Sequence, residues 1–174
     1  HQPELILVLP AHARGGQEDE CTPSWLVDEA TAALGRPVGG GTPFNLCELQ
    51  RHPLDHLPFL TCTFTPTVHA TDDLSVHETA AALPDLVRTL RARAPHAELA
   101  LGPFQGRERV PSDPDGHRPS IAGLPPSWLA RSIASLARAG VERLCVADLT
   151  DLVHDATPTA YGQAVAEARA EAVG

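Results

Sequence analysis

Residues 97–148, AELALGPFQGRERVPSDPDGHRPSIAGLPPSWLARSIASLARAGVERLCVAD, decide the fold class. The stretch opens on the apolar run AELALGP (97–103) and closes on a second, ERLCVAD (142–148). Between them, residues 127–139 repeat apolar side chains at three- and four-residue steps, with Pro125 and Pro126 before them and Gly140 after. Proline at a helix start and glycine past its end are the usual punctuation of a helix. The unit therefore reads strand, long loop, helix, strand. Both strands are continuous in hydrophobicity rather than alternating, which suits strands of a parallel sheet covered on both faces.

The same reading extends outward. Further apolar runs of strand length lie at residues 4–10 (ELILVLP), 36–41 (RPVGGG) and 58–65 (PFLTCTFT). Residues 22–34 predict a helix with Thr22 as N-cap, Pro23 at the first helical position and Gly35 as C-cap. Residues 75–94 predict a second, with Val76, Ala80, Leu83, Val87 and Leu90 on one face and arginines in the last turns. Residues 159–173 predict another, while residues 44–57 hold at most a short helix. No hairpin signal interrupts the alternation, which implies an α/β fold with a parallel sheet. Two architectures remain open. One is a doubly wound open sheet; the other is part of a TIM (β/α)8 barrel, which needs roughly 250 residues when whole. The chain has 174 residues, contains no Met and begins with His1 directly before an apolar run. It is expected to be one α/β domain over residues 1–174, cut from a larger barrel whose remaining strands belong to the parent chain.

Composition excludes several functions. The net charge is −9, from 22 acidic against 13 basic residues, and every basic residue is Arg. Nucleic acid and anionic membranes need clustered positive charge, so neither is expected as a partner. No apolar stretch approaches the roughly 20 residues of a membrane span. The four cysteines, Cys21, Cys47, Cys62 and Cys145, lack CxxC spacing and read as reduced thiols of a cytoplasmic protein. His52 and His56 have the spacing of two metal ligands on one helical face, but Pro53 and Pro58 break that face. A surface loop is expected there, and no metal. Glycines 39–41 lack the spacing of a phosphate-binding loop, no Lys is present for a Walker-type site, and no GxSxG elbow occurs.

In either architecture, function sits at the carboxyl ends of the strands. That rule selects His69 and Asp72 in the segment after Thr65, Arg107 and Arg109 in the long loop after Pro103, and Asp148 at the end of the last strand. An acidic group closing an apolar strand needs a partner, water or a substrate, because burying it alone is costly. A capping or ion-pair role for Asp148, and a packed loop position for His69, are the alternatives on spacing alone.

Residues 68–91, VHATDDLSVHETAAALPDLVRTLR, resemble the VHAxD…S…ET…VR block of the D-apionate lactonase family. Three further segments agree in order. GGTPFNLCELQR (40–51) is similar to the family's GGTN…ELNR, GPFQGRERV (102–110) to SPVTLRPRF, and WLARSIASLARAGVERLCVAD (128–148) to WTLGSL…LAEAGA…YYE. The resemblance spans residues 36–161 and implies a glycoside-hydrolase-like (β/α)8 barrel, here its strands 4 to 8, acting as a hydrolase on a small carbohydrate or sugar-acid substrate without a cofactor. It implies catalytic roles for Asp148, His69 and Glu48, and substrate contacts for Asp72, Arg107, Arg109, Thr42 and Asn45. For a lactone, Asp148 acts on water as general base or orients it. Arg107 and His69 polarise the carbonyl or bind a sugar-acid oxygen, and Asp72 fixes the His69 tautomer. For a glycoside, a second carboxylate has to face Asp148 at about 5 to 9 Å; Glu48 is the nearest candidate, and a solvated helix position is its alternative. Asp148 stands where the family has Glu after two aromatics, Val146 and Ala147 replace those rings, Pro43 replaces Asn, and residues 149–152 replace TTGW. A shortened acid can cost about a hundredfold in rate. The alternative implied by these departures is a non-catalytic barrel that binds a sugar or a partner.

Overall fold

The structure, a computed structural model, describes residues 4–10, 20–66, 72–104, 125–146, 153–154, 157–158 and 160–173. Its sheet holds β1 (Gly40–Gly41), β2 (Phe59–Thr61), β3 (Glu98–Phe104) and β4 (Arg143–Val146), side by side in chain order. All three pairings are parallel, with Gly40 opposite Leu60, Leu60 opposite Leu99 and Leu101 opposite Leu144. The run at residues 4–10 joins the β1 edge through a parallel bridge between Leu7 and Gly39. Val8 N donates to Gly39 O at 3.0 Å and Gly39 N to Ile6 O at 2.9 Å. A doubly wound sheet reverses its strand order at a switch point. Here the order is sequential throughout, which excludes that alternative and gives the arc of a barrel.

The arc is curled. Glu4, at the start of the first run, forms an ion pair with Arg143 of β4 at 3.2 Å, and Arg143 also bonds Glu98 of β3. Four strand spacings of roughly 4.8 Å would hold the edges of a flat sheet about 19 Å apart, further than two side chains reach. Exposed pairs of this kind contribute little stability. Their value is as a gauge of curvature at the amino ends of the strands.

Along β2 and its continuation the two faces alternate. Leu60, Cys62 and Phe64 join the buried core with Leu99, Leu101 and Phe104, whereas Thr61, Thr63 and Thr65 point the other way and are still almost fully buried. The helices cover the first face. They are α1 (Ser24–Leu34), α2 (Leu46–Leu49), α3 (Asp73–Thr79), α4 (Leu83–Arg93), α5 (Pro126–Arg138) and α6 (Ala160–Val173). From them come Val76, Leu83, Val87, Leu90, Trp128, Leu129 and Leu136. Phe64, Phe104 and Trp128 form a stacked column with centroids 5.1 and 5.8 Å apart, and the Trp128 indole N–H donates to Val76 O at 3.0 Å. Among the described residues, no helix is long and apolar enough to cross a membrane.

Arg91 ties α4 to the sheet. Its guanidinium donates to Ala97 O at 2.7 Å and Gly140 O at 2.6 Å and pairs with Glu142, whose second oxygen accepts from Leu99 N at 2.8 Å.

Several sequence-based expectations need correction. Helix α1 starts at Ser24 with Pro23 at the cap position, one residue later than expected, because the Thr22 hydroxyl is used elsewhere. It donates within reach of both Val8 O, at 2.7 Å, and Gly41 O, at 3.0 Å, and accepts from Gly41 N at 3.0 Å. The single helix expected over 75–94 is two, joined by a 3-10 turn at Ala80–Ala82. Pro84 in the first turn of α4 cannot donate the bond that would continue α3. A short antiparallel ladder, β5 (Val153–His154) with β6 (Thr157–Pro158), was not expected; two-residue strands are too short to show alternation.

Gly41 has φ +144°, and a Cβ placed there would lie 1.9 Å from Thr61 O. Backbone strain and overpacking each cost on the order of 1–3 kcal/mol, so Gly41→Ala is expected to lose about 3 kcal/mol. Gly35, with φ +66° at the C-cap of α1, has open space around its Cβ position; Gly35→Ala is expected to lose about 1 kcal/mol. Urea midpoints of the two variants provide the check, and equal losses would mean that β1 and β2 are not held this closely.

Candidate active site at the carboxyl ends of the strands

The turn that leaves β1 is held against the end of β2 by three hydrogen bonds. Thr42 N donates to Thr61 O at 3.1 Å, Thr63 N to Phe44 O at 2.8 Å, and the Thr63 hydroxyl to Pro43 O at 2.9 Å. Thr42 is fully buried, and its hydroxyl accepts from Phe44 N at 3.1 Å. Thr61 is committed in the same way, donating to Gly102 O at 3.2 Å.

This turn delivers Asn45 and Glu48 to the carboxyl edge of the sheet. Asn45 occupies the N-cap of α2, and Glu48 stands three residues on. That spacing ordinarily makes a capping box in which both side chains satisfy helix amides. Here the Asn45 side chain makes no capping bond, and Glu48 Oε2 is buried with no hydrogen-bond partner among the described residues. A buried carboxylate oxygen without a donor is costly. Among the described residues, two polar groups that could have served the helix, the Asn45 side chain and Glu48 Oε2, therefore leave it unserved beside the strand ends. Glu48 is also near Cys62, whose thiol is pushed up to about 12, first by complete burial and then by the Glu48 charge.

Next to them lies a mixed cluster. Glu20 pairs with Arg51 at 3.1 Å, and its Oε2 lies 3.9 Å from His52 Nε2. The ring of His56 meets Thr22 O at 3.0 Å. Residues 50–56 lie in turns, as the flanking prolines implied, and no group of three metal-ligating side chains occurs among the described residues.

Asp72 caps α3: its Oδ1 accepts from Ser75 N at 3.0 Å, and that bond holds the exposed carboxyl below its usual range. His69, Arg107, Arg109 and Asp148 lie outside the described residues. The strand ends that precede three of them are described and adjacent, with Phe104 of β3 opposite Val146 of β4. The structure thus sets Thr42 on the turn after β1, Asn45 and Glu48 at the cap and in the body of α2 that follows it, and Asp72 at the start of α3. Thr63, which holds the turn, was not singled out from sequence, and Thr22, which holds β1, was read there only as a helix cap. The alternation LTCTFT was the signal available for Thr63. A groove of about 450 Å³ between α5 and α6, flanked by Ser127, Arg131, Arg138, Gln163 and Glu167, contains none of the candidate residues.

Residues 2–165 match the family model described as D-apionate lactonase, TIM barrel domain. The chain belongs to the D-apionate lactonase family. A D-apionate lactonase of Brucella anthropi is 31% identical over an alignment of 172 residues, which takes in 85% of this chain. The chain spans 28% of the length of that relative. No solved structure matches. Membership of the lactonase family agrees with the sequential parallel arc and with the order of the family-like segments along the chain.

The four cysteines are free, Cys47 and Cys145 exposed and Cys21 and Cys62 buried. Burial pushes the Cys21 thiol up to about 11 and the Cys62 thiol to about 12, so neither is a thiolate near neutrality. A disulfide reagent at pH 8 is expected to titrate two thiols rapidly and two more only after denaturation. Cys47→Ser with Cys145→Ser should remove the rapid phase; four rapid thiols would contradict the packing at both buried sites.

Proposed function

We propose that this chain contributes part of the active site of a hydrolase that opens a sugar lactone. Family membership supports the reaction class, and the observation that carries the placement is the buried Glu48 Oε2, without a partner among the described residues, beside an Asn45 that makes no capping bond, just beyond the carboxyl end of β1. Barrel enzymes carry their chemistry at that end.

In this reading Asp148 is the general base toward water, or orients it. His69 and Arg107 polarise the lactone carbonyl and stabilise the oxyanion that forms on attack. Asp72 is held ionised by its cap bond, the state in which a carboxylate accepts from an imidazole N–H and fixes its tautomer. Arg109 and Asn45 bind the sugar hydroxyls and the developing carboxylate, Thr42, fully buried, holds the turn that carries Asn45 rather than touching the sugar, and Glu48 supplies the second carboxylate. A glycoside substrate would require Glu48 to face Asp148 at about 5 to 9 Å. The chain would then be one α/β part of a larger barrel, its remaining strands pairing with the outer edges of the first run and of β4. The free thiols support a cytoplasmic location.

The Asp148 and aromatic departures favour a second reading, a barrel that binds a sugar without turning it over. Assay of the intact polypeptide on a panel of aldonolactones and aryl glycosides separates the readings. Lactone hydrolysis is expected, with Asp148→Asn lowering kcat/KM by about 10²-fold or more and Glu48→Gln by about tenfold. Equal rates for Asp148→Asn and wild type would remove Asp148 from the mechanism. Turnover of aryl glycosides alone would favour the glycoside reading, and binding without turnover the second one.

A further inference from the structure

We infer that Thr63 is a positioning residue of this site, its hydroxyl fixing the Pro43 peptide and through it the placement of Asn45 and Glu48; the inference rests on the lactonase reading above. The backbone bond from Thr63 N to Phe44 O at 2.8 Å would be made by nearly any residue at this position. The side-chain bond is different. Thr63 Oγ1 donates to Pro43 O at 2.9 Å, and both residues are buried, Thr63 to 2% exposure. Without the hydroxyl, the Pro43 carbonyl would face a buried position with no donor from Thr63, and buried carbonyls are seldom left unpaired.

The consequence falls on the residues after Pro43. Asn45 occupies the N-cap position of a helix of four residues, Leu46–Leu49, that carries Glu48 and has little internal bonding to hold its own direction. Its orientation is inherited from the turn. Thr42 N fixes one end of the turn on Thr61 O, Phe44 O takes the main-chain bond, and Thr63 Oγ1 sets the peptide plane between them. Rotation of that plane would move Asn45 and Glu48 together. Displacement of reacting groups by about 1 Å can cost about a hundredfold in rate.

The test compares Thr63→Val, which keeps shape and removes the donor, with Thr63→Ser, which keeps the donor. Thr61→Val is the matched control: it deletes an equally buried hydroxyl bonded to Gly102 O and leaves the turn's own bonds in place. On the best lactone of the panel, Thr63→Val is expected to lower kcat by at least tenfold with KM changed less than threefold, whereas Thr63→Ser and Thr61→Val stay within about threefold of wild type in both. Undiminished kcat in Thr63→Val, or equal losses in Thr63→Val and Thr61→Val, would overturn the inference. If wild type hydrolyses none of the lactones, the lactonase reading fails by itself. Amide exchange then decides on Thr63: faster exchange at Phe44 and Asn45 in Thr63→Val but not in Thr63→Ser supports the role, and unchanged exchange rejects it. Should Thr63→Val not fold, Thr63→Cys, close in volume and a much weaker donor, takes its place in the same comparison.

Discussion

Close approach at three successive glycines governs the arrangement of this chain. A Cβ at Gly39 would meet Phe59 Cβ at 2.4 Å, one at Gly40 would meet the Thr22 side chain at 2.6 Å, and one at Gly41 would meet Thr61 O at 1.9 Å. A strand without side chains lets the first run, the Thr22 hydroxyl and β2 close on it from three directions. The Thr22 bonds to Val8 and Gly41, the bridge from Leu7 to Gly39 and the bond from Thr42 N to Thr61 O all exist at that separation. A side chain at Gly39 or Gly41 would push β2 away and carry with it the turn that presents Asn45 and Glu48, and one at Gly40 would displace Thr22.

The glycine strand also explains what the rest of the sheet must supply. β1 contributes no apolar side chain to the core, so the packing falls to its neighbours. Leu60, Cys62 and Phe64 on one side of β2 meet Leu49, Leu54 and Leu57 from the segment after β1, and the aromatic column of Phe64, Phe104 and Trp128 carries the contact on to α5. Thr61 and Thr63 on the other face give their hydroxyls to backbone carbonyls, which lets them be buried without an unpaired donor.

The parallel strand–helix alternation was legible because it comes from local signals, apolar runs of strand length separated by helices with proline before and glycine after, whereas the sequential order that separates a barrel arc from a doubly wound sheet was not. Thr42, Asn45 and Glu48 of the carboxyl-end turn were marked by the family resemblance rather than by a local pattern. Their commitments were not. Whether an N-cap Asn caps, or whether a threonine hydroxyl seeks its own helix or a carbonyl 20 residues away, depends on tertiary neighbours that no local pattern contains. Thr22 shows the same limit: its position before Pro23 looks like a cap, yet the carbonyls of Val8 and Gly41 compete for it and win. The split of the long helix at Pro84 was a local signal that the apolar periodicity outweighed.

Arg91 shows one consequence of a chain whose cations are all arginine. A guanidinium offers five donors in a planar fork, enough to hold Ala97 O, Gly140 O and Glu142 at once, which a lysine ammonium on its flexible stem would do less rigidly. The choice has chemical weight as well. Lactones are acylating agents, and a free lysine amine is a competent nucleophile toward such carbonyls, whereas the guanidinium stays protonated. Under the proposed lactonase reading, a chain with no lysine in its 174 residues places positive charge without any side-chain amine that a lactone could acylate, and leaves only the exposed thiols of Cys47 and Cys145 open to such a reaction.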